Sequence, residues 1–382
     1  MIRVLHVIDT GGPGGAETVF LQTATRLDPA RFHSTAVVGG VGWLARQFEA
    51  RGMSPLIVPA KGSLNVGYLS MLLRLARRHK INVIVAHLYG SAIYASLAGT
   101  LLSVPVVSVL HGQSDVQGGE RFVTVKSVIV RKGSRQVIFV SERLKDHLKP
   151  QLRLVDSQCA VIPNGVDTEV FRPNRDRSLR AELGLPDDMA VIGAIGNVRE
   201  PKAYDVLLRA AHALSSRSRG FHLVIAGDRD NDLGRRLEQL SRDLGIENRV
   251  TFLGLRPDVS RILNNLDVFA LSSRTEGFSI ACIEAMACGV PVVATRSGGP
   301  EQILEGDAGI LVPTDDPESL SLAIERVISS QDLAATLASR AIQRVHERYS
   351  LRTMLSRYED LLERVASQSR NSRAVAGQPK SA

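Results

Sequence analysis

Two α/β domains, each a doubly wound parallel sheet, are what this sequence predicts, and three observations predict them. Short apolar runs alternate with helical stretches along the chain, the pattern of βα units whose strands lie parallel. Residues 168–188, rich in Arg, Pro and Asp, interrupt the alternation, which resumes with the apolar run 190–195. The chain has 382 residues, enough for two domains of ordinary size.

Composition narrows the class. Hydrophobic residues make up 44% and charged residues 23%, as in a soluble globular enzyme, and the apolar runs fall far short of a membrane span. The opening MIRVLHVID reads as a strand rather than a signal peptide. Cys159, Cys282 and Cys288 have neither metal-ligand nor redox spacing, and a reducing cytoplasm is the compartment they suggest. A net charge of +8 and a pI near 9.7 favour anionic partners: phosphorylated substrates, anionic lipid headgroups or nucleic acid. Nucleic acid is set aside, because aromatic content is only 4% and neither basic-aromatic interleaving nor zinc spacing occurs.

In chain order, residues 2–8 cluster apolar side chains as a buried strand does. The loop Asp9-Thr10-Gly11-Gly12-Pro13-Gly14-Gly15 and a helical run to Leu27 follow. Strand, glycine loop and helix can cradle a phosphate, but the loop is not GxGxxG, so a tight turn is an equal reading. Further strands are expected near 33–38, 54–58, 82–86, 105–110, 136–140 and 159–162, with helices between them. His87 and His111 each follow or end such a strand, where ligand groups gather in open α/β sheets. Residues 68–80, YLSMLLRLARRHK, form an amphipathic helix: Leu69, Leu72, Leu73 and Ala76 on one side, Arg74, Arg77, Arg78 and Lys80 around the rest. A solvated basic face on a sheet-covering helix is the first reading; peripheral contact with an anionic membrane is the second.

In the second half, the strand 190–195 is followed by Gly196-Asn197-Val198-Arg199-Glu200-Pro201-Lys202, a βα loop whose cations could meet a diphosphate. The strand 221–226 ends in Gly227-Asp228-Arg229-Asp230; Asp-x-Asp is a potential divalent-metal site, but Leu233 and Gln239 exclude an EF-hand. The stretch 276–301, EGFSIACIEAMACGVPVVATRSGGPE, organises the whole. Gly277 lets the backbone approach a ligand closely. The amides of Phe278 and Ser279 open a helix and offer an anion site. Glu284 lies about five residues on, ~7–8 Å along the axis, the depth at which a ribose would follow a diphosphate.

This stretch resembles the EGF-x5-EAMACG-x-PVV-A-x4-GG-x-E signature of retaining, nucleotide-sugar-dependent glycosyltransferases of family four, which have the GT-B fold. The resemblance extends to VIPNGVD at 161–167, to the first loop with Gly14, Gly15 and Glu17, and to the loop carrying Lys202. It implies two Rossmann-like domains facing a cleft: 1–167 on the acceptor side, 168–188 as linker, 189–349 binding the nucleotide sugar. A helix at 350–366 is expected to pack back on the first domain, and 367–382 to be a disordered tail. By resemblance, His111, Lys202 and Glu276 are catalytic. Gly14, Gly15, Arg199, Lys202, Gly277, Phe278, Ser279 and Glu284 hold the donor, Glu284 at its ribose. Glu17 and His87 are acceptor contacts. Two departures stand out: Asn197 where the family commonly has Arg, and Ala203 where it commonly has Gly; Arg199 could replace the missing Arg only by proximity. No cofactor or metal is expected beyond a nucleoside diphosphate sugar donor. The acceptor is expected to be a glycan or lipid-linked molecule, and the location the cytoplasm, at the inner face of the membrane. The rival readings are a GT-B nucleotide-sugar epimerase, which needs no acceptor, and an inactive GT-B scaffold, against which Lys202, Glu276 and Glu284 speak.

Overall fold

The structure is a computed structural model that describes residues 1–59, 65–112, 123–174, 176–217 and 220–376, with side chains to 368. Gln113, beside His111, and the end of the tail, 377–382, lie outside the described residues. The chain divides into two compact units, Met1–Asn164 with Met354–Ala382, and Gly165–Thr353.

The first unit holds seven strands: β1 (Ile2–Ile8), β2 (Phe32–Val38), β3 (Leu56–Ile57), β4 (Val83–His87), β5 (Val106–Leu110), β6 (Gln136–Phe139) and β7 (Cys159–Val161). They lie in the order β3-β2-β1-β4-β5-β6-β7, and every pair is parallel. Strands β4 and β5 are buried along their whole length, which is why they read as continuous apolar runs rather than alternating ones. The order reverses direction between β1 and β4, so the loops after these two strands diverge and leave room for a ligand.

The second unit repeats the plan with β8 (Ala190–Ile195), β9 (Phe221–Ala226), β10 (Val250–Gly254), β11 (Val268–Leu271), β12 (Val292–Thr295) and β13 (Ile310–Val312), in the parallel order β10-β9-β8-β11-β12-β13. Its switch point falls between β8 and β11, which carry the loops with Lys202 and Glu276. Its core joins Ile192, Leu223, Ile225 and Val268 of the sheet to Leu207, Leu208 and Leu214 of the helix Tyr204–Ser215.

Three segments differ from expectation. Residues 168–188 belong to the second unit: Leu179 packs with Ala226 and Ile262, and Arg180 pairs with Asp267 at 2.6 Å. The polar tail is helical as far as Ala376, within the helix Leu351–Ala376. Extending an established helix costs little per residue, and no Gly or Pro intervenes before Gly377. In the helix Val66–Arg78 the buried stripe is Tyr68, Leu72 and Ala76, an i, i+4, i+8 row, with Leu69 and Leu73 only half-buried at its flanks. The final helix is tied to the first unit by Arg31, which pairs with Glu359 and Glu363 at 2.9 Å each.

Candidate active site

In the second unit the site is built from three loops at the carboxyl ends of neighbouring strands. The loop after β8 begins at Gly196 (φ +153) and passes through a short turn, Glu200–Lys202, to Ala203 (φ +49). The Tyr204 hydroxyl donates to the Gly196 carbonyl at 2.8 Å and ties the two ends of the loop together. The loop after β9 is pressed against it. A Cβ at Gly227 would lie 2.0 Å from the Gly196 oxygen, so the close approach requires glycine. Asn197 accepts the Asp228 amide at 3.2 Å, and the Asn231 side chain donates to the Val198 carbonyl at 3.1 Å. Asn197, which replaces the family's common Arg, therefore fastens two loops.

The loop after β11 brings in Glu276. Its backbone is clamped between the Ser297 carbonyl and the Gly299 amide, at 2.8 and 2.9 Å. One carboxylate oxygen accepts two hydrogen bonds, from Lys202 Nζ at 2.6 Å and from the Ser273 hydroxyl at 2.7 Å. Arg274 stitches the same loop to its neighbour: its amide donates to the Pro201 carbonyl at 2.8 Å, and its guanidinium pairs with Asp205 and Asp315. Lys202 is further fixed because its carbonyl accepts the Ser272 hydroxyl at 2.9 Å.

Downstream, Ser279 caps the helix Ile280–Ala287 by accepting the Cys282 amide, so the helix opens one residue after the expected position. Phe278 is buried edge-on against Tyr349, with ring centroids 5.6 Å apart. Gly299 abuts the Gly277–Phe278 peptide, where a Cβ would lie 2.8 Å from Phe278 Cα. Glu284, one turn further in, has no hydrogen-bond partner for its carboxylate among the described residues. Burial pushes that carboxyl up to about 7. Arg199 is exposed and likewise has no ion-pair partner among the described residues, whereas the adjacent Glu200 is taken by Arg236 at 2.8 Å. The loops after β8 and β11 thus carry two cations and a clamped carboxylate, and the helix that follows carries Glu284. Together they suit an anionic ligand that also carries hydroxyls.

In the first unit, Gly14 caps the helix Gly15–Arg26 in extended backbone, and its lack of a side chain makes room for the Glu17 carboxylate, which accepts the Thr10 hydroxyl at 2.7 Å. A second glycine loop, Gly39-Gly40-Val41-Gly42, is packed against this one: Leu44 donates to the Gly11 carbonyl at 3.0 Å. Strand register sets the histidines. His87 pairs with Val109 and Ile8, and His111 lies two residues beyond Val109, so both rings fall on one sheet face. His87 Nδ1 and His111 Nε2 are 3.0 Å apart. His87 is fully buried, enclosed by Phe20 and by His111, rather than open to an acceptor. His6, on the same face, is buried with Nε2 3.1 Å from the Ser34 hydroxyl.

Sequence reasoning did not single out Ser273, Arg274 or the loop 39–42. Ser273 could have been found from its place three residues before Glu276; the loop's Gly-Gly-x-Gly echoes the first loop. Among the described residues, no three His, Cys, Asp or Glu side chains gather as metal ligands would, and Asp228 instead accepts the Asp230 amide at 3.2 Å. No helix among the described residues is long and apolar enough to cross a membrane.

Comparison with known proteins follows the same division. The family model described as Glycosyltransferase Family 4 matches residues 13–170, and that described as Glycosyl transferases group 1 matches residues 190–330. A D-inositol 3-phosphate glycosyltransferase of Saccharomonospora viridis is 34% identical over 293 residues, 71% of this chain and 67% of the relative. That of Stackebrandtia nassauensis is 31% identical over 321 residues, 77% of this chain and 71% of the relative. Among solved structures, the Anabaena protein HepE in complex with UDP and glucose superposes with a TM-score of 0.84 at 23% identity, covering 95% of this chain and 100% of the other. Sucrose-phosphate synthase of Thermosynechococcus elongatus gives 0.79 at 19%, covering 96% and 100%. Sheet order, loop chemistry and these similarities agree: the chain belongs to the family-four, group 1 glycosyltransferases and has their GT-B fold.

Proposed function

We propose that this glycosyltransferase moves a hexose-type sugar from a nucleoside diphosphate sugar to a glycan or lipid-linked acceptor, with retention of anomeric configuration and without a metal ion. The observation that supports the reading is the Lys202–Glu276 pair, with Glu284 on the helix that follows Glu276 and no hydrogen-bond partner for its carboxylate among the described residues. When the glycosidic bond breaks, negative charge grows on the leaving diphosphate. Lys202, Arg199 and the amides of Gly277, Phe278 and Ser279 stabilise it, and Lys202, held by Glu276, is already oriented and so adds little reorganisation cost. Glu276 has one oxygen engaged by Lys202 and Ser273; its other oxygen takes sugar hydroxyls. Glu284 accepts the vicinal ribose hydroxyls. Gly14 and Gly15 allow close approach of the donor phosphates, and His111 orients the sugar. Glu17, half-buried in the first turn of the helix Gly15–Arg26, is the acceptor contact.

HepE's UDP and glucose support a UDP-hexose donor. A second acceptor reading, a phosphorylated polyol, is favoured by the inositol phosphate named for the relatives and by the net charge of +8. The exposed Arg74, Arg77 and Arg78, with exposed Val66 on the same helix and Leu56 and Ile57 on β3, support peripheral contact with anionic lipid from the cytoplasmic side. The test is a thermal-shift screen of nucleoside diphosphate sugars, followed by transfer to each acceptor class with the product's anomeric configuration read by NMR. No stabilisation by any donor would overturn the proposal. Conversion of the sugar nucleotide without an acceptor would favour the epimerase.

A further inference from the structure

At the switch point of the first unit, Asp9 follows β1, and its half-buried carboxylate is pressed onto the first turn of the helix Tyr89–Leu102, which follows β4. A Cβ at Gly90 would lie 2.0 Å from Asp9 Oδ2, so this contact exists only because residue 90 has no side chain. Burial pushes the carboxyl up; its own amide and Ser91 oppose the rise, and the charge of Glu17 adds to it. Ser91 is fully buried, yet its hydroxyl completes no hydrogen bond in good geometry among the described residues. The hydroxyls of Thr18, Thr23, Thr25 and Thr100, on helices of the same unit, each donate to the carbonyl four residues back. Ser91 does not. The Tyr68 hydroxyl is likewise buried without a partner among the described residues, and the charge of Asp9 adds to the effect of burial in raising it. Buried hydroxyls left unpaired are costly and uncommon, and two of them around one carboxylate mark a place for a polar guest.

The charge of that guest follows from the neighbours. In the described loops after β1, β2, β4 and β5, residues 9–14, 39–42, 88 and 111–112, Asp9 is the only Asp, Glu, Lys or Arg, and Glu17 stands in the first turn of the next helix. A phosphate set there would meet two carboxylates and no cation from these loops, whereas a sugar or polyol ring brings hydroxyl donors. We infer that Asp9 is a specificity-determining residue of the acceptor site: its carboxylate accepts hydrogen bonds from hydroxyls of a neutral sugar or polyol ring, and Ser91 donates to an oxygen so held. Any phosphate that the acceptor carries lies away from Asp9. This inference deepens the transfer reading proposed above and rests on it.

The experiment measures acceptor KM and donor KM for the full chain and for Asp9→Asn, which keeps the shape of the side chain and removes its charge. It uses the acceptor that transfers best and its monodeoxy analogues. Asp9→Asn should raise acceptor KM by about 10- to 100-fold, the loss expected for hydrogen bonds to a charged group, with donor KM changed less than about 3-fold. At least one monodeoxy analogue should cost the wild type about 10-fold and cost Asp9→Asn much less, because the two changes remove the same bond. Ser91→Ala removes a hydroxyl that bonds nothing in the fold, so it should raise acceptor KM by about 3- to 10-fold without lowering Tm. It keeps the inference testable should Asp9→Asn not fold, and an unchanged acceptor KM in it would count against the inference. Equal deoxy penalties in both proteins, or a lower Tm in Asp9→Asn with acceptor KM unchanged, would overturn it and leave Asp9 as a support for the helix end with only an enclosed water beside Ser91. If the wild type transfers no sugar at all, the proposed function fails, and saturation-transfer NMR with myo-inositol and free hexoses still decides the site. Contact with the wild type that weakens about 10-fold in Asp9→Asn is expected; no contact, or equal contact with both, would overturn the inference.

Discussion

Replacing Glu284 with glutamine should stabilise the protein at pH 8 and leave it unchanged at pH 4. Burial raises this carboxyl from 4.5 to about 7, with no hydrogen-bond partner among the described residues to offset the lost hydration. The folded state therefore binds the proton more tightly than the unfolded chain. The stability this contributes is fully present below pH 4.5 and is lost as pH rises through about 7. At about 1.36 kcal/mol per unit the rise corresponds to roughly 3 kcal/mol, which partial exposure to water reduces to ~1–3 kcal/mol. Glutamine is neutral throughout, so denaturant midpoints of variant and wild type should coincide near pH 4 and separate up to about pH 7. The same carboxyl gives a binding signature. Ribose hydroxyls require the ionised form, so donor binding at pH 7 should expel about half a proton. Calorimetry in two buffers of different ionisation enthalpy measures this; a nucleotide sugar, unlike a free nucleoside diphosphate, has no phosphate titrating near neutrality. Glu284→Gln should release none and bind more weakly, by a few kcal/mol at most. Parallel pH–stability curves, or equal proton release by the two proteins, would refute the reasoning.

Three further outcomes are expected. Lys202→Ala should lower kcat by about 10- to 100-fold and donor affinity much less, because charge on the leaving diphosphate grows only in the transition state; steady-state kinetics with equal losses in both would assign Lys202 to ground-state binding. Ala203 stands in the left-handed region at φ +49, so Ala203→Gly should relieve roughly 1–2 kcal/mol of strain, part of it offset by the greater entropy of the unfolded chain. Its thermal midpoint should rise, and a fall would show that packing of the buried Ala203 methyl outweighs the strain. Activity should survive EDTA in full; complete loss restored by Mn²⁺ would favour a metal at Asp228 and Asp230.

The strands were legible because parallel strands covered on both faces are short unbroken apolar runs, as in Val83–His87 and Val106–Leu110. The loops of Lys202 and Glu276 were legible because each follows such a run, and Glu284 because it lies on the helix after the second loop. What sequence could not supply is whatever depends on register or on a neighbouring loop. The His87–His111 bond needs the pairing of His87 with Val109, and the Asn197–Asp228 bond needs the β8–β9 register. The Ser273 hydroxyl bonds the Glu276 carboxylate only because the turn between them brings the two together. The linker and tail were misjudged for one reason: composition reports average solubility, whereas a single buried Leu179 or an already nucleated helix decides whether a polar segment is ordered.

A crystal structure of the chain with its best-stabilising nucleotide sugar tests the central claim most directly. The account predicts the diphosphate within hydrogen-bond reach of Lys202, the ribose hydroxyls on Glu284 and the sugar hydroxyls on Glu276. A nucleotide bound elsewhere, with the Lys202–Glu276 pair and the Glu284 carboxylate untouched by it, would contradict it.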